Sequence, residues 1–485
     1  MQLNSLLFLF IFLPAALLLT LVSGKRLRNI VLLLLSLIFY AWGGVSYTLI
    51  ILLSITVNYF AGLLLQKKLN TKYARKILII TVTVNILALL LFKYLFFIVD
   101  NISAIKSIYG SPPVIIKKFA MPLGISFFTF CNLSYLLDIF RGETKAEKNF
   151  INMALYLSFF PRLIAGPIVR YKEMSSQLTE RKITLANFTS GIERFVIGLG
   201  KKVLIADTFA LVANHVFDSP VNGLSFLPAW IGIITYTLQL YFDFSGYSDM
   251  AIGLGRMFGF NIAENFNFPY ISKSIQEFWQ RWHISLSTWL RDYLFAPLAL
   301  KFRNHGKAGI ALSVLITFTL CGMWHGPAWT YIVWGSIHGL FLMIERIGFG
   351  KRLKKIWRPL RHFYVIVVVL FSWVFFRSAD LAYAFKYCSA MVSFSFPSKA
   401  MIGLTEYFDN AFYISLAIAI IGSTGFFTAI GNIFSNYFTR LSLAKRNTTE
   451  IAYSFVEMAA LFSILFVCIT YLATNNYNPF IYFRF

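Results

Sequence analysis

The 485-residue chain is 58% hydrophobic, 18% aromatic and only 13% charged, about half the charge a soluble domain carries. Apolar runs of about 20 residues recur along it, each long enough to cross a ~30 Å hydrocarbon core. This excludes a soluble enzyme and predicts an all-α polytopic membrane protein. The net charge of +24 does not point to nucleic acid, because the basic residues sit in short clusters between apolar runs. KRLR at 25–28, QKKLNTKYARK at 66–76, KFRNHGK at 301–307 and GKRLKKIWRPLRH at 350–362 form the positive-inside pattern, facing cytoplasm and anionic membrane lipid.

In chain order, the first apolar run, SLLFLFIFLPAALLLTLVS at 5–23, exceeds the roughly 7–15 residues of a secretory h-region and is followed by KRLR. It reads as a retained first span. Further spans are expected at 29–43, 46–65, 77–99, 113–139, 189–211, 225–245, 309–325, 327–346, 362–377, 411–433 and 450–474. The total expected is about eleven to thirteen membrane segments, including re-entrant or tilted helices around a central cavity. Basic linkers after the first and third spans put the N-terminus outside, and Gly43-Gly44 turns the second span into the third.

Two stretches break the pattern. FFPRLIAGPIVRY at 159–171 holds Pro161, Gly166 and Pro167, which forbid a straight helix. Residues 241–296 mix polar groups with aromatics. Such backbone at membrane depth persists only where protein buries it or water reaches it, so both stretches are expected to wall a cavity or lie at the interface. No linker, low-complexity tract or internal repeat divides the chain, which reads as one integral-membrane domain over 1–485. The four cysteines, Cys131, Cys321, Cys388 and Cys468, lie far apart without CxxC spacing and read as small buried hydrophobes.

Three motifs hold groups able to do chemistry. In QLYFDFSGYSDMAIGLGRMFGF (239–260), Asp243 and Asp249 interrupt an apolar run, where carboxylates are costly unless paired or solvated. Pairing with Arg281 or Arg291 is as compatible with the pattern as a role in the reaction. Gly253-Leu254-Gly255 lacks the strand-and-helix setting of a dinucleotide fingerprint. In ISKSIQEFWQRWHISLSTWLRDYL (271–294), helical spacing puts Trp279, Trp282, Leu286, Trp289 and Tyr293 on one face. Gln276, Gln280, His283, Ser287 and Arg291 fall on another. The pattern fits an interfacial amphipathic helix and a re-entrant element lining a cavity equally well.

The third motif is CGMWHGPAW (321–329). Basic clusters flank the pair of segments that contains it, so the chain goes out along 309–325 and returns along 327–346. From Ile310 to His325 a helix rises only ~24 Å, short of a ~30 Å core, which places His325 inside the membrane in its outer half. Gly322, Gly326 and Pro327 are expected to let the backbone bend there, and His338, thirteen residues on, is expected to face elsewhere. Ionisable groups in spans are usually functional, although a histidine can also simply tie two helices. No Ser-His-Asp set, HExxH or metal-ligand cluster is present, so no metal is expected. One or two histidines without a protein nucleophile suit a general base acting on an acceptor hydroxyl.

These motifs carry a resemblance. PLGISFFTF (122–130), FFPRLIAGPIVRY, LYFDFSGYSDMAIGLG (240–255), FNFPYISKSIQEFWQRWHISLSTWLRDYL (266–294) and MWHGPAWTYIVWGSIHG (323–339) occur in an order that resembles the membrane-bound O-acyltransferase family, most closely its alginate O-acetyltransferase branch. The resemblance covers roughly 1–377. It implies a ring of tilted helices thinned at its centre, with the invariant histidine at His325 as the catalytic residue and a second required histidine at His283. Trp324, Ser287, Arg291 and Asp292 are then expected in the substrate-binding wall, with Asp243 and Asp249. Gln280 and Arg162 depart from the branch's usual residues, which leaves acceptor or partner preference open.

The expected function is O-acetylation of an extracytoplasmic, alginate-like polysaccharide from a cytoplasmic acyl thioester such as acetyl-CoA, with no bound cofactor. The resemblance also implies an extracytoplasmic acetyltransferase or esterase-like partner and a location in the bacterial cytoplasmic (inner) membrane. The rivals are D-alanyl transfer to teichoic acid, peptidoglycan O-acetylation and, from another class, a transporter with His325 on a proton or substrate path.

Overall fold

The computed structural model describes residues 1–117, 119–394, 403–440, 443–474 and Phe480, with side chains left aside at 435–436 and 438–448. Every regular element among them is helical, as expected where backbone groups have no water to bond. Six helices are long and apolar enough to cross a membrane: Val45–Lys67, Lys72–Ile108, Arg303–His325, Trp329–Leu353, Arg358–Arg377 and Thr449–Thr474. A pair bent by 66°, Asn410–Gly422 with Phe426–Phe434, makes up to seven.

Among the described residues, then, six or seven helices pass on length and composition, fewer than the eleven to thirteen membrane segments expected, which included tilted and re-entrant ones. Turns consume the ends of the runs at 5–23, 29–43 and 113–139, leaving the shorter helices Phe8–Val22, Arg28–Ala41 and Ile125–Phe140. The runs at 189–211 and 225–245 belong to helical stretches laced with Arg194, Lys201, Lys202, Asp243 and Asp249. Between 150 and 171 the proline-rich segment breaks as expected, into Phe150–Ser158, a single turn at Phe160–Leu163 and extended chain, and it is almost wholly buried.

Close helix approach positions the site. The 32-residue helix Phe226–Met257 packs on Leu185–Gly200 through two glycine pairs seven residues apart. A Cβ on Gly253 would lie 2.5 Å from Gly191 O, and one on Gly246 would lie 2.8 Å from Gly198 O. Backbones this close gain dispersion contacts that lipid cannot match. The helices Gly306–His325 and Trp329–Ile344 meet in the same way, where a Cβ on Gly335 would lie 2.3 Å from Phe318 O.

Gly322 is therefore a packing contact and not a bend; the helix runs straight through it to His325. The chain leaves the helix at Gly326 in an extended conformation (φ −164°). Glycine is needed there because a Cβ would strike the Tyr331 ring at 2.2 Å. The helix also begins earlier than expected. Its 20 residues from Gly306 rise ~30 Å, so length alone does not stop His325 short of the far side.

Buried amides tie the helices Val45–Lys67, Lys72–Leu89 and Ile125–Phe140. Asn58 and Asn85 exchange hydrogen bonds at 3.2 and 2.9 Å, and Asn132 donates to Ser54 Oγ at 2.9 Å. Asn58→Leu deprives the Asn85 amide of its reciprocal partner and is expected to cost about 1 kcal/mol. Thermal unfolding in detergent checks this, with Asn58→Leu/Asn85→Leu losing less than the sum of the single substitutions.

Candidate functional site

The 271–294 stretch is not one helix. Ser274 caps Ile275–Arg281 by accepting from Glu277 N, and buried Glu345 accepts from Ile275 N at 2.7 Å and Gln276 N at 3.0 Å. The helix ends at Trp282, and His283 takes a left-handed conformation (φ 43°, ψ 56°) before Ile284–Leu290 begins. A non-glycine residue there stores about 1–3 kcal/mol of strain, which the surroundings have to offset.

Asn265 provides the offset. It is fully buried; its carbonyl accepts from Ile284 N at 2.9 Å, and its Oδ1 accepts from Ser285 N at 3.1 Å and Ser285 Oγ at 2.9 Å. Two donors orphaned at a helix start are thereby satisfied. The same Oδ1 lies 3.2 Å from His283 Nδ1. Because a backbone N–H already donates to that atom, it is the acceptor. This assigns the proton of neutral His283 to Nδ1 and the lone pair to Nε2. The break turns His283 away from the polar stripe expected for it, edge-on to Phe244 with ring centroids 4.7 Å apart.

His325 is the last residue of its helix and is buried. Its ring is enclosed by Trp324, Trp334 and Phe376, with centroids at 4.8, 4.9 and 5.2 Å. Trp334 stacks on Trp373 at 5.7 Å, and Trp373 packs on Trp282 at 5.2 Å, so aromatic rings bridge the His325 turn to the His283 break. On the other side Phe130 is sandwiched between Trp324 at 4.9 Å and Trp289 at 4.1 Å, and Trp289 Nε1 donates to Phe130 O. The tryptophan slab read from the sequence is thus real and wholly buried.

His325 and Trp324 share the wall of a cavity of about 270 Å³ with Lys93, Ser126 and Ile164. Trp324 Nε1 has no hydrogen-bond partner among the described residues. A second cavity, of about 280 Å³, is lined by Gln276, Gln280, Ser287, Arg291 and Arg346, with Trp279 at its floor. The polar stripe, without His283, therefore does line a cavity.

His338 is also buried, but both its nitrogens are used. Trp279 Nε1 donates to Nδ1 at 3.2 Å. Ser372 Oγ donates to Val369 O, so at 2.9 Å it receives the proton of His338 Nε2. This is a histidine holding helices together. It does not face elsewhere, as the thirteen-residue spacing had implied; Trp334 lies between it and His325, 5.1 Å from His338.

Asp243 and Asp249 do not pair with Arg281 or Arg291. Asp243 lies 2.6 Å from buried Lys202, and Asp249 pairs with Arg194 at 2.7 Å and Lys201 at 2.6 Å. They fasten the glycine-packed helix pair. Asp292 bridges Arg170 at 2.8 Å and Arg291 at 2.7 Å. Burial pushes its carboxyl up, but hydrogen bonds from Arg291 and Arg170, with the Arg170 charge, outweigh burial and hold it below the usual carboxylate range. The stability this brace adds is complete above the ordinary carboxylate pKa and lost as pH falls through the lowered value.

Sequence reasoning missed Asn265, Lys93 and Glu345. Lys93 carried a usable signal, a lone cation inside LLLFKYLFF. Asn265 and Glu345 carried none, because their partners lie 18 or more residues away.

Known proteins match this chain over much of its length. The model of the membrane-bound O-acyltransferase family matches residues 36–383. The chain is 40% identical to a probable alginate O-acetylase of Pseudomonas putida over 100% of both chains. It is 37% identical to a peptidoglycan O-acetyltransferase of Helicobacter pylori over 80% of this chain and 79% of that one. It is 31% identical to a teichoic acid D-alanyltransferase of Bacillus subtilis over 52% of this chain and 66% of that one.

Two substitutions probe the supports of the site. Asn265→Leu removes the acceptor of three hydrogen bonds at a strained turn and is expected to cost about 2–3 kcal/mol of stability, read by thermal unfolding. Lys202→Met leaves Asp243 buried without that cation and should cost about 3–5 kcal/mol, with Lys202→Arg milder in the same assay.

Proposed function

The chain belongs to the membrane-bound O-acyltransferase family and is a membrane acyltransferase; from that premise we propose that it supplies acetyl groups, taken from a cytoplasmic thioester, for O-acetylation of an extracytoplasmic polysaccharide. The observation that carries this reading is two buried histidines joined by a run of packed aromatic rings, with two cavities lined by residues of their segments. His325 is in the wall of one, and the other is lined by the stripe Gln276, Gln280, Ser287 and Arg291. The basic cluster KFRNHGK precedes the His325 helix and KRLKK follows its partner. Positive-inside orientation then puts the start of the Gly306–His325 helix at the cytoplasm and its His325 end toward the outside.

In this reading acetyl-CoA is the donor, and Arg291 and Arg346 are the cations nearest its phosphates. The acceptor hydroxyl enters from outside. His325 takes its proton as the oxygen attacks the thioester carbonyl, forming the C–O bond and pushing a pair onto the carbonyl oxygen. Collapse breaks the C–S bond, and the thiolate leaves with a proton. His283, with its lone pair on Nε2, is placed to relay that proton or to orient the donor. Trp324 Nε1 is an available hydrogen-bond donor for the reacting oxygens. The aromatic cage excludes water, which would otherwise hydrolyse the thioester.

Full-length similarity to alginate O-acetylases supports an alginate-like polymer as acceptor. The reading includes a bacterial inner-membrane location and an extracytoplasmic acetyltransferase that passes the group on. Peptidoglycan O-acetylation is the second reading, favoured by the 37% identity to the Helicobacter pylori enzyme.

Polymer acetylation in cells tests the catalytic reading. His325→Ala is expected to lower it at least ~100-fold at normal protein level, and undiminished acetylation would sink the assignment. His283→Ala should lower it less. Purified protein should discharge acetyl-CoA and not a D-alanyl carrier protein; the reverse preference would move the chain to teichoic acid chemistry.

A further inference from the structure

Lys93 is a lysine in an apolar helix, inside a single π-helical turn at Leu90–Tyr94, and only 7% exposed. An ammonium in such surroundings is costly and needs acceptors for three donors. Among the described residues no carboxylate pairs with it. Its acceptors are the end of the His325 helix: Nζ donates to Trp324 O at 2.5 Å and His325 O at 3.0 Å, with Ser126 Oγ at 3.4 Å. The adjacent Tyr94 hydroxyl donates to Met323 O. Three successive carbonyls, orphaned where the helix stops, are thus taken by two side chains of one neighbouring turn. A cation at the negative end of a helix dipole is itself favourable. The Lys93 ammonium also sits 5.6 Å from the Trp324 ring centroid, and Lys93 and His325 line the same cavity.

The last residue of a helix frays unless something holds it, and Gly326 after His325 is already extended. We infer that Lys93 is a positioning residue for His325: its bonds to the Trp324 and His325 carbonyls fix the backbone that carries the imidazole beside the cavity both residues line. The inference rests on the acyl-transfer reading above and adds a residue to it. A base displaced by about 1 Å loses on the order of 100-fold in rate, so a charged clamp has a use here that an apolar side chain lacks. Arginine at 93 could still donate to both carbonyls, whereas methionine, of similar length, could not.

The test uses full-length protein with Lys93→Met, Lys93→Arg, Tyr94→Phe and His325→Ala. Polymer acetylation in cells is measured at matched protein level. In purified protein, carbethoxylation of His325 by diethyl pyrocarbonate is followed by mass spectrometry against exposed His305. Lys93→Met is expected to lower acetylation roughly 10–100-fold and to shift the His325 modification rate while His305 stays constant; Lys93→Arg should restore most of both. Wild-type acetylation in Lys93→Met, or a loss with His325 reactivity unmoved, would overturn the inference. If Lys93→Met does not accumulate, Tyr94→Phe decides: a changed His325 rate supports the clamp, and an unchanged rate overturns it. Acetylation that survives His325→Ala sinks the acyl-transfer reading instead, and the reactivity arm still reports whether Lys93 holds the histidine.

Discussion

A helix that stops inside a protein at membrane depth leaves carbonyls or N–H groups that no water will take. The candidate site is built where three helices stop, and each end is met by a side chain from elsewhere. Glu345 takes the first N–H groups of Ile275–Arg281, Asn265 those of Ile284–Leu290, and Lys93 with Tyr94 the last carbonyls of Gly306–His325. A broken helix is expensive in this setting. The breaks are also what bring two histidines from different segments to the same interior, because an unbroken helix turns its side chains outward at fixed angles.

Aromatic packing does the remaining work of placement. Around His325 the neighbours include the rings of Trp324, Trp334 and Phe376, and ring packing runs on through Trp334 and Trp373 to Trp282 beside His283. Rings of this size have few rotamers and close packing, so they fix the imidazoles with little conformational freedom. Members of the same aromatic set line both cavities, Trp279 in one and Trp324 in the other.

Much of this was legible in the sequence, by identifiable means. Apolar run length gave the helical membrane class, and proline with glycine foretold the break at 159–171, since both act locally. The 271–294 stretch shows where local reading ends. Its tryptophans have helical spacing and are all buried, yet a contact from Asn265, 18 residues upstream, splits the helix and removes His283 from the stripe on which spacing had put it. The start of the His325 helix was misread for a related reason. The helix starts at Gly306, inside a basic stretch that hydropathy excludes, and glycine read as a hinge at 322 is a packing contact with Gly335. Runs rich in glycine and ion pairs were weighed by their apolar residues alone, so not every expected segment corresponds to a helix that passes on length and composition among the described residues.

The contrast between His338 and His325 shows two ways in which a buried histidine is held. The two belong to one helical hairpin and touch the same tryptophan, Trp334. His338 has both nitrogens engaged by Trp279 and Ser372, so its proton is placed and protonation would break a bond. Around His325 the fold instead directs its polar contacts to the backbone: Lys93 holds the carbonyl, and aromatic rings confine the imidazole. Burial is shared by both histidines and does not separate them; the hydrogen bonds that hold His338 run through its ring, whereas Lys93 reaches His325 through its carbonyl.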